Sequence, residues 1–116
     1  MTDLLTEGIN FFNAGRYFEA HESWEDLWRA TRGPLRLFYQ GLVQAAVGLH
    51  HLHQGNLNGG RAQLTKALAK LEEYPAHFCR IENGRFVTEL RAILQSDVIK
   101  PIVILRHQKP VVQSEG

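Results

Sequence analysis

The stretch between Gly33-Pro34 and Gly55 constrains this chain most, because it is apolar almost all round. Leu35, Phe38, Leu42, Ala45, Ala46 and Leu49 recur on one side of a helical period, and Leu37 and Val47 point towards the other. A helix with apolar residues on both sides must be surrounded by other elements, so it belongs in the middle of a bundle. Pro34 suits the first helical position and Gly55 the left-handed position beyond the end, so this third helix runs to about Gln54. Its exception is a narrow stripe of Gln40, Gln44 and His51 opposite Leu42, with Gly48 beside it to permit close approach. Amides in such a position need partners on a neighbouring element.

The flanking segments supply the neighbours. Leu4, Leu5, Ile9 and Phe12 define a short first helix ending at Asn13-Ala14-Gly15, where Gly15 can take the left-handed position. A second helix follows from about Arg16 to Arg32. The short Gly33-Pro34 break makes the second and third helices antiparallel neighbours. Asn56-Leu57-Asn58-Gly59-Gly60 reads as a loop leading to a fourth helix, about Arg61 to Glu73, with Leu64, Ala67, Leu68 and Leu71 at helical spacing and Tyr74-Pro75 ending it. Residues 75–84 read as a loop, and a fifth helix runs from about Arg85 to Gln95. The segment VIKPIVIL is β-branched and holds Pro101, which predicts an extended tail packed on the bundle. The expected architecture is all-α: a compact bundle of about five helices with an extended C-terminal tail. Residues 1–107 form one helical domain with its tail, and 108–116 are expected to be mobile.

At an offset of forty residues Gly15, Trp24 and Trp28 align with Gly55, Leu64 and Leu68. This suggests either a helical-repeat-like interaction module or a bundle built from two similar helical hairpins. The second needs fewer units, since repeat arrays generally require about three to bury a continuous core.

Composition excludes several classes. A formal net charge of +1 argues against a dedicated polyanion binder, so no nucleic-acid partner is expected. Arg29 and Arg32 fall in the last turn of the second helix, where cations complement the helix dipole. The most apolar stretch, Gly41 to Leu49, is too short to span a bilayer, so no membrane partner is expected. The single cysteine, Cys79, and a start lacking a basic and apolar leader predict a reducing, cytoplasmic location.

The second helix places chemistry inside a core-facing pattern. Tyr17, Ala20, Trp24, Leu27 and Trp28 fill one arc, and Glu19, Ser23 and Asp26 fall on the solvated side. His21, Glu22 and Glu25 lie between, with Phe18 and Trp28 bracketing Glu25, which predicts a semi-buried site. Gln40 and Gln44 can donate amide N–H groups to Glu22 or Glu25. Replacing Gln44 by Leu is then expected to cost roughly 1–3 kcal/mol, because a buried carboxylate loses a donor.

The segments FNAGRYFEAHESWEDLWR and FYQGLVQAAVGLHHLHQGN together resemble a small prokaryotic family known as domain of unknown function 309. The resemblance rests on Phe18, His21-Glu22, Glu25 and Trp28 combined with Phe38-Tyr39-Gln40-Gly41 and Gln44. It implies a compact all-helical fold, brings no established activity, and draws attention to His21, Glu22, Glu25, Gln40 and Gln44.

Three functions stay open on these residues. In the first, the protein has a His/Glu/Gln pocket with a ligand- or protein-binding role. In the second it is a metal-dependent hydrolase, with His21 and Glu25 ligating a divalent metal one turn apart and Glu22 as general base. Against that, Arg29 stands four residues after Glu25 and can neutralise it in a simple ionic ladder. The third is the repeat-like interaction module. His50, His51 and His53 point in different directions on an ideal helix and so cannot share one ion, and only His51 follows the Gln40–Gln44 stripe. The apolar tail suggests self-association.

Overall fold

In a computed structural model describing residues 3–96, 98 and 100–106, the third helix, α3 (Leu35–His53), is the axis of an all-helical bundle. Around it lie α1 (Leu4–Asn13), α2 (Tyr17–Ala30), α4 (Leu57–Leu71) and α5 (Asn83–Ser96). Phe38, Leu42, Ala45, Ala46 and Leu49 of α3 are wholly buried, with Phe12, Trp24, Leu64, Leu71 and Leu90 brought in from the other four helices. α2 packs on one side of α3 and α4 on the other, but the second apolar side is covered only in part: Val47 is half-buried and Leu37 is 56% exposed.

Two helical hairpins with the same turn make up the first four helices. Gly15 and Gly55 both take positive φ, 79° and 83°. Arg16 N donates to Phe11 O at 2.9 Å, and Asn56 N donates to His51 O at 2.8 Å, so α1 and α3 end in the same closure. The forty-residue similarity therefore has a structural counterpart in the paired hairpins.

The fourth helix starts earlier than its glycines suggest, at Leu57 rather than Arg61. Asn56 caps it, its Oδ1 accepting from Gly59 N at 3.0 Å. Gly59-Gly60 reads as a loop because glycine is a poor helix former, yet here it serves packing. A Cβ on Gly60 would lie 2.9 Å from Gly48 O and against the Leu52 side chain, so the pair Gly48/Gly60 lets α3 and α4 cross closely.

Residues 75–84, expected as a loop, contain a small hairpin in which β1 (His77–Phe78) pairs antiparallel with β2 (Ile81–Glu82). Two-residue strands are too short to leave an alternating pattern. The turn residues Cys79 and Arg80 both have positive φ, 53° and 59°, the backbone of a tight hairpin turn normally given to Asn-Gly. Buried Asn83 opens α5 and ties it to α4, its Nδ2 donating to Leu71 O at 3.0 Å and to Pro75 O at 3.2 Å.

The tail is extended and packed, as its β-branched composition predicts. Ile102 and Ile104 are buried at 4% and 1% exposure. Asn13 grips Ile104 through both its groups: Nδ2 donates to Ile104 O at 3.0 Å and Oδ1 accepts from Ile104 N at 2.7 Å. Glu82 N donates to Leu105 O at 2.8 Å, which joins the tail to the hairpin. Residues 108–116, with Val111 and Val112, lie outside the described residues. No helix among those described is long and apolar enough to cross a membrane.

Candidate functional site between α2 and α3

α2 is held on two sides, and this decides which of its polar residues are available. Ser23, expected on the solvated face, is 5% exposed because α1 lies across it; its hydroxyl donates to Glu7 Oε2 at 2.6 Å. Beside it Trp24 is buried and donates from Nε1 to Leu5 O at 3.2 Å, in a space left open by Gly8. The apolar arc of α2 is thus wider than the sequence pattern indicates, and the α1 contact accounts for the difference.

The His21, Glu25 and Arg29 side chains form a ladder along α2. His21 Nε2 lies 3.2 Å from Glu25 Oε1, and Arg29 Nη2 lies 3.4 Å from Glu25 Oε2. Glu25 is half-buried and engaged from both sides, the ionic arrangement expected of residues four apart. Glu22 is exposed, so the structure brings His21 and Glu25 together and leaves Glu22 in solvent. Among the described residues no group of three or more His, Cys, Asp or Glu side chains is placed to hold a metal ion. His21 and Glu25 alone would offer two donors.

Gln40 and Gln44 are half-buried on α3, and among the described residues no hydrogen bond joins either to Glu22 or Glu25. Gln44 Oε1 is buried without a hydrogen-bond partner, as is Trp28 Nε1. The expected His/Glu/Gln network is therefore not formed in full: the contacts run along α2 rather than across to α3. Trp28 is instead covered by Arg36, whose guanidinium lies 4.5 Å from the ring centroid.

Between the two helices the structure has a half-open cavity of about 320 Å³ lined by Phe18, His21, Val47, His50 and His51, with walls that are almost wholly apolar. Phe18 stands at its edge, 48% exposed. Its ring lies 5.7 Å from that of His21 and 5.4 Å from that of His50, tilted by about 50° in each case. His50 and His51 both reach the cavity, although the stripe argument selected His51 alone. The cavity lies between their directions, and each imidazole is long enough to border it. His53 turns away: its Nδ1 donates to Leu49 O at 3.0 Å, and its ring packs 5.1 Å from Tyr17. Asn56 Nδ2 lies 3.5 Å from His51 Nδ1. Val47 and His50 are the cavity residues that the sequence reading did not connect with the site, and Phe18 entered it only as a neighbour of Glu25. Their signal is the i, i+3 pair Phe18–His21 facing the i, i+3, i+4 set Val47–His50–His51.

Elsewhere, Cys79 is half-buried and hydrogen-bonded to Tyr39, and burial pushes its thiol above the ordinary value, the opposite of nucleophile activation.

These features define an all-helical protein of two matched hairpins with an imidazole-bordered cavity between its second and third helices. The chain belongs to the family described as Domain of unknown function (DUF309), whose model matches residues 5–72. That match covers α1 to α4 and includes every residue bordering the cavity. The chain is also similar to an uncharacterized protein of Aquifex aeolicus (strain VF5), 32% identical over 94 residues, which are 80% of this chain and 27% of that protein. The alignment thus spans about a quarter of its length.

Proposed function

We propose that the protein binds a small ligand in the cavity between α2 and α3, in a binding rather than a catalytic role. The observation that carries this reading is the division of labour among the side chains. Rings from two helices border an apolar space, Glu25 is engaged by His21 and Arg29, and Glu22 stands in solvent. The site supplies contact surface, and neither Glu22 nor Glu25 borders it. Its volume falls at the lower end of small-ligand pockets, roughly 300–1,000 Å³. The longer Aquifex relative is in keeping with a helical unit that can also serve within a larger chain.

The test is a thermal-shift screen of small metabolites against the wild type and Val47→Trp, a variant that fills the cavity from the α3 side. A ligand at about one hundred times its Kd should stabilise the wild type by about 2.7 kcal/mol. It should have no effect on a folded Val47→Trp protein. Ligands that stabilise both proteins equally would move the binding site away from this cavity and overturn the reading.

A further inference from the structure

The chemistry of the cavity wall narrows the ligand class, and we infer that the site takes a planar aromatic small molecule without a positive charge. This rests on the reading of the cavity as the binding site. Four of its five bordering side chains, Phe18, His21, His50 and His51, are flat rings, and the fifth, Val47, is apolar. The rings are not stacked face to face on one another. Phe18 is tilted by 51° to His21 and 49° to His50, and His50 by 43° to His51 with centroids 6.3 Å apart. Tilted rings around a small space offer edges and faces to an inserted ring, the arrangement in which aromatic pairs are most favourable.

Charge sets the second half of the inference. No carboxylate borders the cavity. On α2, Glu25 has its two oxygens turned to His21 and Arg29, Glu19 is held by Arg16 at 2.9 Å, and Glu22 stands in solvent outside the cavity lining. An entering cation would meet imidazoles, which are neutral or themselves cationic, with no carboxylate in the wall to compensate it. The half-exposed ring of Phe18 at the edge is the contact most specific to an aromatic guest.

The experiment titrates the full-length protein with indole, with cyclohexylmethanol as a saturated apolar control and with tryptamine as a cationic indole. It follows the imidazole resonances of His21, His50 and His51 by NMR. Indole should shift all three saturably and bind about three- to tenfold more tightly than cyclohexylmethanol, the margin of an aromatic pair. Tryptamine should bind no more tightly than indole. Phe18→Leu, which keeps an apolar edge but removes the ring, should bring indole and cyclohexylmethanol to within about twofold of each other. Equal binding of the two in the wild type, a preference unchanged in Phe18→Leu, or tighter binding of tryptamine would each overturn the inference while leaving the cavity a binding site. Absence of saturable shifts with every probe would overturn both the inference and the functional reading on which it rests.

Discussion

The Arg36 guanidinium lies over the Trp28 ring at 4.5 Å and donates from the same Nη1 to Trp28 O and Thr31 O at 3.1 Å each. One side chain from the first turn of α3 thereby closes the C-terminal end of α2, satisfying Thr31 O and adding a second donor to Trp28 O, which already accepts from Thr31 N. It also fixes the angle between the two helices that border the cavity. Arg36 belongs to a basic cluster with Arg29 and Arg32, but its charge is spent internally.

Arg36→Met keeps much of the stem and removes the fork and the charge. Its expected cost is about 1–3 kcal/mol, from the lost carbonyl bonds and ring contact together. Arg36→Lys should recover only part of it, since an ammonium cannot reproduce the planar donor geometry. Urea unfolding of the three proteins measures this, and a Lys variant equal to wild type would show that charge alone is sufficient.

Gln44→Leu should raise stability by roughly 1 kcal/mol, because a buried carbonyl oxygen with no partner is replaced by an apolar group of similar size. The sequence reading predicts the opposite sign from a Gln44 bond to Glu22 or Glu25. Thermal unfolding separates the two, and a loss of stability would mean that Gln44 holds a partner after all.

Asn13 is the clamp on the tail, and Asn13→Asp keeps its size while turning a donor into a second acceptor facing Ile104 O. A cost of about 1–3 kcal/mol is expected. The Ile104 amide should exchange with solvent markedly faster, and limited proteolysis should cut earlier around residues 100–106. Unchanged Ile104 exchange would show that burial of Ile102 and Ile104 alone holds the tail.

Asp3 caps α1, and the Thr6 amide donating to its Oδ1 at 2.7 Å holds the carboxyl below its ordinary range. A depressed folded-state value means that the ionised form stabilises the fold. The contribution is complete above the unfolded-chain value near ~3.9 and is lost as pH falls through the folded value. It is small, because the side chain is exposed and screened by solvent. Asp3→Asn retains the acceptor, so the stability difference between the wild type and this variant should change only below about pH 4. A difference that varied at neutral pH would place the titrating group elsewhere.

The local features were legible from sequence for a local reason. Five helices, the glycine closures after the first and third, and the extended Pro101 segment follow from periodicity, caps and backbone preference, which depend on residues a few positions apart. The family, too, is carried by a linear pattern. The glycines of α4 were misread for the complementary reason: Gly59-Gly60 breaks a helix by propensity, and only the closeness of α3 shows why the helix continues through them.

Tertiary structure alone decided the site. Ser23 sits opposite the apolar arc by periodicity, yet α1 covers it, and no property of the second helix by itself records that contact. His21, Glu22 and Glu25 are equally prominent in the sequence, but the structure leaves Glu22 in solvent, ties Glu25 to its own helix, and turns His21 to a cavity with Phe18, Val47, His50 and His51. Sequence fixes the direction in which each Cβ leaves a helix. The crossing of α2 and α3, set by Arg36 on Trp28 and by the packing on either side, determines which of those directions end in shared space, and that crossing is a property of residues far apart in the chain.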